Sequence, residues 1–285
     1  MPSASSAYID PTGNVYVRNY GATGDGVNND TAAVQAAVNR GGHVVFHFGQ
    51  FLVDGINVRG GLWLDFGNAT LKQRVPGRSL LRAVETLANG SYFGTFKDIR
   101  ITGGYLDATG GNQHLMRLLF VENLLIEDVT IIGYPTAQWA MALGGRNVLV
   151  RNPQIYGGQT IFQDGVHFVH GQYLRLEGGY IVSGDDAIAI GGEPTDPFLG
   201  AEPDPLRFVS AKGVHVNSRS GFAAKVYVQA GSTVDVSDVD IDGVYGRAGQ
   251  LRNGGMWIHD YSNSGKVKRV NVAGVALELG GAQHD

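Results

Sequence analysis

The chain contains no cysteine, so neither disulfides nor thiolate metal ligands are available to hold it together. The redox compartment is left open by that absence. Charged side chains make up only 17% of the 285 residues, too few for the solvated faces of long amphipathic helices. With 22 basic and 26 acidic side chains the formal charge is −4, and no basic run supplies a phosphate footprint, so a nucleic-acid partner is not expected. No apolar run is long enough to cross a bilayer as a helix, so no membrane partner is expected either. The opening MPSASSAYIDPTG has neither the basic nor the apolar region of a secretory signal.

Glycine, in contrast, is abundant: 43 residues, about twice the usual share. It follows no collagen period and is spread through runs of alternating apolar and polar residues, which predicts many short strands joined by tight turns. Residues 1–14, rich in Ser, Pro and Gly, read as a lead-in. Asn29, Asp30 and Thr31 then carry helix N-cap chemistry, and TAAVQAAVN sets Ala33, Val34, Ala37 and Val38 on one helical face, closed by Gly41 and Gly42. His43 to Val53 alternates as a strand. From about residue 56 the alternating pieces recur as IRIT, LLIEDVTI, NVLV, YLRL, GVHV and TVDV. The steps between Ile101, Ile126, Val150, Leu176, Val216 and Val236 are 25, 24, 26, 40 and 20 residues.

A period of this size without a helix in each unit predicts an all-β fold, a right-handed parallel β-helix, in which every coil covers its neighbour's apolar face. The short helix would cap its N-terminal end. The expected organisation is one solenoid domain over residues 15–285. The long step marks a loop insertion at 191–205, whose four prolines and four acids exclude a central strand; residues 74–94 read as a second excursion.

The stretch QDGVHFVHGQYLRLEGGYIVSGDDAIAIGG, residues 163–192, carries the chemistry. Asp164 opens one alternating run, and Asp185 and Asp186 open the next. Strands of successive coils lie about 4.8 Å apart, so three carboxylates converge on one surface. Such close acids repel, which favours retention of a proton on one of them. That combination suits glycoside hydrolysis, in which one acid protonates the leaving oxygen and a carboxylate activates water. Two other readings of the same acids stay open: ordinary turn residues beside glycine, or hard oxygen ligands for Ca²⁺ in a polysaccharide lyase, with Lys225 or Arg219 as the base.

The segment VRNYGATGDGVNNDTAAVQAAV, residues 17–38, resembles the opening of the pectate-lyase-like β-helix superfamily, which includes polysaccharide-degrading enzymes and phage tailspikes. QDG followed by SGDDAIAI resembles the active-site motifs of polygalacturonase-type glycoside hydrolases, Asn-Thr-Asp-Gly and then Gly-Asp-Asp one coil later; here Asp164 and Asp185 are 21 residues apart. The resemblance implies an inverting mechanism with Asp185 as general acid, Asp164 and Asp186 holding and deprotonating the water, and no cofactor or metal. Side-chain divergence would open the acids to the ~6.5–9.5 Å usual for inversion.

The family's Gly-His-Gly, one coil after the acid pair, has no counterpart, and His215 is a displaced candidate for its histidine. Lys225 and Arg219 are candidates to bind a substrate carboxylate, and His167 to face the groove or to pack. Trp139, Trp257, Tyr156 and Tyr180 are candidates to stack on sugar rings or on neighbouring coils, with Trp257 two coils beyond the acids. GATGDG lacks the Lys-Ser/Thr of a phosphate loop. The resemblance further implies a polysaccharide partner, a virion or extracellular setting as a phage tail depolymerase, and a homotrimer. The rival reading is an adhesin or virion β-helix that holds glycan without cutting it.

Overall fold

A computed structural model describes residues 13–83, 96–133, 139–157, 160, 162–192, 204–249, 255–262 and 266–279. Their strands run parallel and pair between coils, not within them, as a right-handed parallel β-helix. Each full coil contributes to three ladders. The first contains Leu81–Ala83, the leading halves of Met116–Glu127, Met141–Arg151 and Val166–Glu177, then Ile188–Gly192, Ala224–Val228 and Met256–Asp260. The second takes the trailing halves of those long strands, then Leu206–Lys212, Val236–Asp242 and Val267–Ala273. The third includes Thr130–Gly133, Gln154–Tyr156, Tyr180–Ser183, His215–Ser218 and Tyr245–Ala248.

Alternation along each strand sends one set of side chains inward, where they stack coil on coil. One such column runs Leu64, Ile101, Ile126, Val150, Leu176, Ala211 and Ile241, every member fully buried. Burying each large aliphatic member contributes about 1.5–3 kcal/mol.

The column corrects the repeat phase. Ile101 to Leu176 follow the expected steps, but the residue above Leu176 is Ala211, and the next are Ile241 and Val272, steps of 35, 30 and 31. Val216 belongs to the third ladder, opposite Ile181, and Val236 opens its strand, opposite Leu206. Coil stacking also begins before residue 56: Val15–Tyr16 already pairs with Gly42–Val45.

Two corners per coil require a left-handed backbone. Before the second ladder it falls on Asp98, Asn123, Asn147, Tyr173, Phe208, Asp238 and Arg269, with φ between 51 and 62°. After that ladder it falls on Gly103, Asp128, Asn152, Gly178, Gly213, Gly243 and Gly274. Glycine adopts this conformation freely, whereas other residues pay about 1–2 kcal/mol. Stacked side chains offset that cost at the first corner. Asn123 donates to Asp98 (2.8 Å), Asn147 donates to Asn123 (3.1 Å), and the rings of Tyr173 and Phe208 lie 5.0 Å apart and 9° from parallel.

At the N-terminal end the helix Thr31–Arg40 buries Val34, Ala37 and Val38, with Ala33 packed against the same core. Asp30 occupies the N-cap position without capping. Its carboxylate accepts the N–H groups of Thr23 and Gly24 (2.7 and 3.0 Å), fixing the GATG loop, while Asn29 accepts the Thr31 N–H (3.0 Å). Gln35 exchanges two hydrogen bonds with the Asn57 backbone, so this side-chain amide pairs with Ile56–Asn57 much as a strand would.

His43 to Val53 is two strands, not one. Gly42–Val45 and Gln50–Val53 are separated by a corner where His47 and Gly49 have φ of 64 and 115°. Of the two expected loops, residues 74–94 hold the buried strand Leu81–Ala83, and residues 84–95 lie outside the described residues. In 191–205, Gly191 and Gly192 finish a strand, and 193–203 lie outside the described residues. Among the described residues no helix is long and apolar enough to cross a membrane.

Candidate active site

Inward residues of the first ladder force their neighbours outward, and these too stack. Arg82, Arg117, Ala142, His167, Ala189, Lys225 and Trp257 form one outward row along the coil axis. Each coil enters this ladder through a short crossing segment. The three acids sit on two successive crossings.

Backbone bonds between coils set their positions. The Gln163 carbonyl accepts the N–H groups of Gly184 and Asp185 (2.9 and 3.0 Å), and the Gly165 N–H donates to the Asp186 carbonyl (2.9 Å). The Asp185 carbonyl accepts the hydroxyls of Ser183 and Ser218 (2.8 and 2.7 Å). From above, Gly221 closes on this turn: a Cβ there would lie 2.4 Å from both the Asp185 carbonyl carbon and its Oδ1. Only glycine admits that approach.

Asp164, Asp185 and Asp186 therefore meet. One carboxylate oxygen from each lies within 4.8 Å of the others. Asp164 and Asp186 are 6% and 3% exposed, whereas Asp185 is only partly buried; the pair forms the floor and Asp185 the more accessible edge. Each floor carboxylate is held from two directions. Asp164 Oδ1 accepts the Asp186 N–H (3.1 Å) and its Oδ2 faces His167 Nδ1 at 3.0 Å. Asp186 Oδ1 accepts the Phe222 N–H (2.8 Å), and Lys225 Nζ lies 3.5 Å from Oδ2. One oxygen of each acid comes closer to the others than the ~6.5–9.5 Å spacing that divergent side chains were expected to open, and the Asp186 N–H bonded to Asp164 Oδ1 ties the floor pair together.

Around the acids lies a shell of rings. Trp139 packs over His167 with centroids 3.7 Å apart, and on its other side against His114 at 4.4 Å. A carboxylate at Asp164 only accepts, so His167 donates from Nδ1, and its Nε2 lies 3.4 Å from the Tyr227 hydroxyl oxygen. Burial, with His167 and Arg117 nearby, lowers the His114 pKa to about 3, so this imidazole is neutral across the physiological range. The Lys225 ammonium also stands 4.3 Å over the Tyr227 ring, a cation–π contact.

Of the residues singled out from sequence, Asp164, Asp185, Asp186, His167 and Lys225 come together. Arg219 is exposed in the segment between His215–Ser218 and Gly221, where its N–H donates to the Ser183 carbonyl (3.0 Å). His215 does not join the acids. It lies in the third ladder between Tyr180 and Tyr245, 4.8 Å from each ring, because the register there pairs its strand with Tyr180–Ser183. Tyr156 continues that stack, away from the acids. Trp257 is two coils beyond Ala189 on the outward row, yet it contacts Phe222 (4.6 Å), whose N–H binds Asp186. His114, Phe222, Tyr227 and Ser218 were not legible from sequence as neighbours of the acids, since each comes from another coil and no local motif marks it.

Neither a family model nor a curated protein sequence matches the chain. Among solved structures it is similar to a family 28 exopolygalacturonase of Yersinia enterocolitica, with a TM-score of 0.63 at 16% identity over 93% of this chain. This chain spans 65% of that protein's length. Weaker likenesses are to the surface adhesin PfbA of Streptococcus pneumoniae (TM-score 0.46, 10% identity, 93% of this chain and 100% of that one) and to ORF18 of Geobacillus virus E2 (0.41, 14%, 87% and 60%). What this chain shares with the exopolygalacturonase is its fold, a right-handed parallel β-helix.

Proposed function

We propose that this protein hydrolyses glycosidic bonds in a polysaccharide, using Asp164, Asp185 and Asp186. The observation that carries the reading is the convergence of these three acids, from two coils, on an outward surface flanked by Trp139, Lys225 and Tyr227. Asp185, the most accessible of the three, gives its proton to the leaving oxygen. Asp164 and Asp186 hold a water between them, and one of the two takes its proton as it attacks the anomeric carbon. The bond from that carbon to the leaving oxygen breaks as the bond to water forms, which inverts the centre. The close spacing supports a water seated against the floor pair. His167 and Lys225 keep the two floor carboxylates oriented.

With this reading go an extracellular or virion setting and a homotrimer, expectations that rest on the resemblance of residues 17–38 to tailspike openings. The test is release of reducing ends from a panel of capsular and pectic glycans by the native chain and by Asp185→Asn. Loss of a general acid lowers the rate by about 10²–10⁴-fold, and the anomer formed first, read by NMR, reports inversion. Equal release by both proteins, or an unsaturated product absorbing in the ultraviolet, would sink the hydrolytic scheme.

A second reading, a protein that holds glycan without cutting it, draws on one observation. The coil above the acid pair offers Ser220, Gly221 and Phe222, with no histidine, and His215 is on another ladder. Tight glycan binding without release by either protein is its signature.

A further inference from the structure

A cavity of about 400 Å³ lies on the outer side of the coil where the first ladder bends into the second, a volume within the range of small-molecule sites. It is separate from the acids. Between them stands a small apolar ridge of Leu119, Ala142 and Val169, apart from the main core, with Trp139 and Phe120 packed on it. Trp139 covers His167 on the acid side, while Phe120 lies against His170, 5.2 Å between centroids, on the cavity side.

His170 is 2% exposed and lines the cavity. Neither ring nitrogen has a well-formed hydrogen bond; the Leu119 carbonyl lies beside the ring without the alignment of one. Burial lowers its pKa to about 4, so near neutral pH the imidazole offers one donor and one acceptor. Beside it, Glu122, Arg146 and Gln172 stand in register on three successive coils, a polar column repeating at about 4.8 Å. Beside Gln172 the stacked Tyr173 and Phe208 are 44% and 46% exposed, and the Arg146 guanidinium lies 5.9 Å from the Tyr173 ring.

We infer that this cavity is a second glycan-binding site, which seats one neutral hexose unit of the polysaccharide beside the His170 ring, with its hydroxyls on Glu122, Arg146 and Gln172. The inference rests on the reading of the chain as glycan-active. A sugar hydroxyl both donates and accepts, which matches an amide flanked by a guanidinium and carboxylates. The site is also built from backbone that tolerates no crowding. A Cβ on Gly145 would lie 2.0 Å from the Val121 carbonyl oxygen, and one on Gly171 would lie 1.9 Å from the Gly145 carbonyl oxygen. A neutral sugar fits better than a uronate because Glu122 and Asp204 line the same cavity as Arg146, leaving no surplus positive charge for a carboxylate.

The test uses the full chain carrying Asp185→Asn, so that nothing turns over. Its histidine side chains are followed by long-range ¹H–¹⁵N NMR, with His170 assigned by comparison with His170→Gln. Methyl glycosides of glucose, galactose and mannose are titrated in, and galacturonate separately. At least one neutral glycoside should shift the His170 resonances saturably, and Arg146→Ala with Gln172→Ala should weaken that binding by about tenfold or more. If no neutral glycoside moves His170, the cavity holds only water and the inference fails. It fails equally if the double variant binds as well, or if galacturonate binds more tightly. The glycan release assay is a separate readout, so loss of the hydrolytic reading and loss of this site are told apart.

Discussion

Lys225 and Asp186 form the most consequential ion pair at the candidate site, and removing the lysine alone should expose how much rests on it. The ammonium stands 3.5 Å from Asp186 Oδ2, with the two side chains 17% and 4% exposed. Coulomb's law at that distance with an effective dielectric of 20 gives an attraction of about 5 kcal/mol. Much of it is offset by the cost of desolvating both charges. Lys225→Met leaves a buried carboxylate without its counter-ion, and the expected loss of stability is about 2–4 kcal/mol. Asp186→Asn keeps an acceptor for the Phe222 N–H and should cost less. The double variant removes both charges, so its cost should fall short of the sum by a coupling energy of about 1.5–3 kcal/mol. Urea unfolding followed by circular dichroism and tryptophan fluorescence, on the native chain and three variants, measures that coupling. A coupling below about 0.3 kcal/mol would refute the reasoning, and would mean that the ammonium is available to a substrate rather than committed to Asp186.

Two further outcomes follow from burial and backbone. Gly213, at φ 65° with nothing within 4 Å of where a Cβ would stand, should tolerate alanine at about 1–2 kcal/mol; Gly145→Ala or Gly171→Ala adds overpacking and should exceed about 3 kcal/mol. Equal urea midpoints for the three variants would contradict the close stacking of these coils. His114 and His170 titrate at about 3 and about 4 in the folded chain, against about 6.5 when unfolded. The unfolded chain therefore binds more protons below pH ~6.5, and stability falls as the pH drops, by up to about 2 kcal/mol per histidine between pH 7 and 5. His170→Gln should remove about half of that acid-side slope, and an unchanged slope would count against a buried neutral imidazole.

The solenoid was legible in the sequence because its cause is local. Alternation from Ile99 through Leu176 sets the inward column, glycines mark many corners, and Val34, Ala37 and Val38 share a helical face whatever they pack on. The acid stretch was legible for the same reason: Asp164 and Asp185 are one short coil apart, with no long loop between them to blur the register. Beyond Leu176 the coils lengthen to 35, 30 and 31 residues, so counting from one apolar piece to the next lost phase; His215, a candidate by resemblance for the family's histidine, falls on the third ladder instead.

The left-handed corners at Tyr173, Phe208 and Arg269 run against their residues' own preference, and only stacking between coils accounts for them. Likewise, Lys225 meets Asp186, and Trp139 meets His114 and His167, through hydrogen bonds between coils. The sequence by itself determined that this chain winds into a parallel β-helix and that three acids gather on it. Which histidine, lysine and rings surround those acids was decided by coil register, which depends on the length of every intervening loop and so has no local signature.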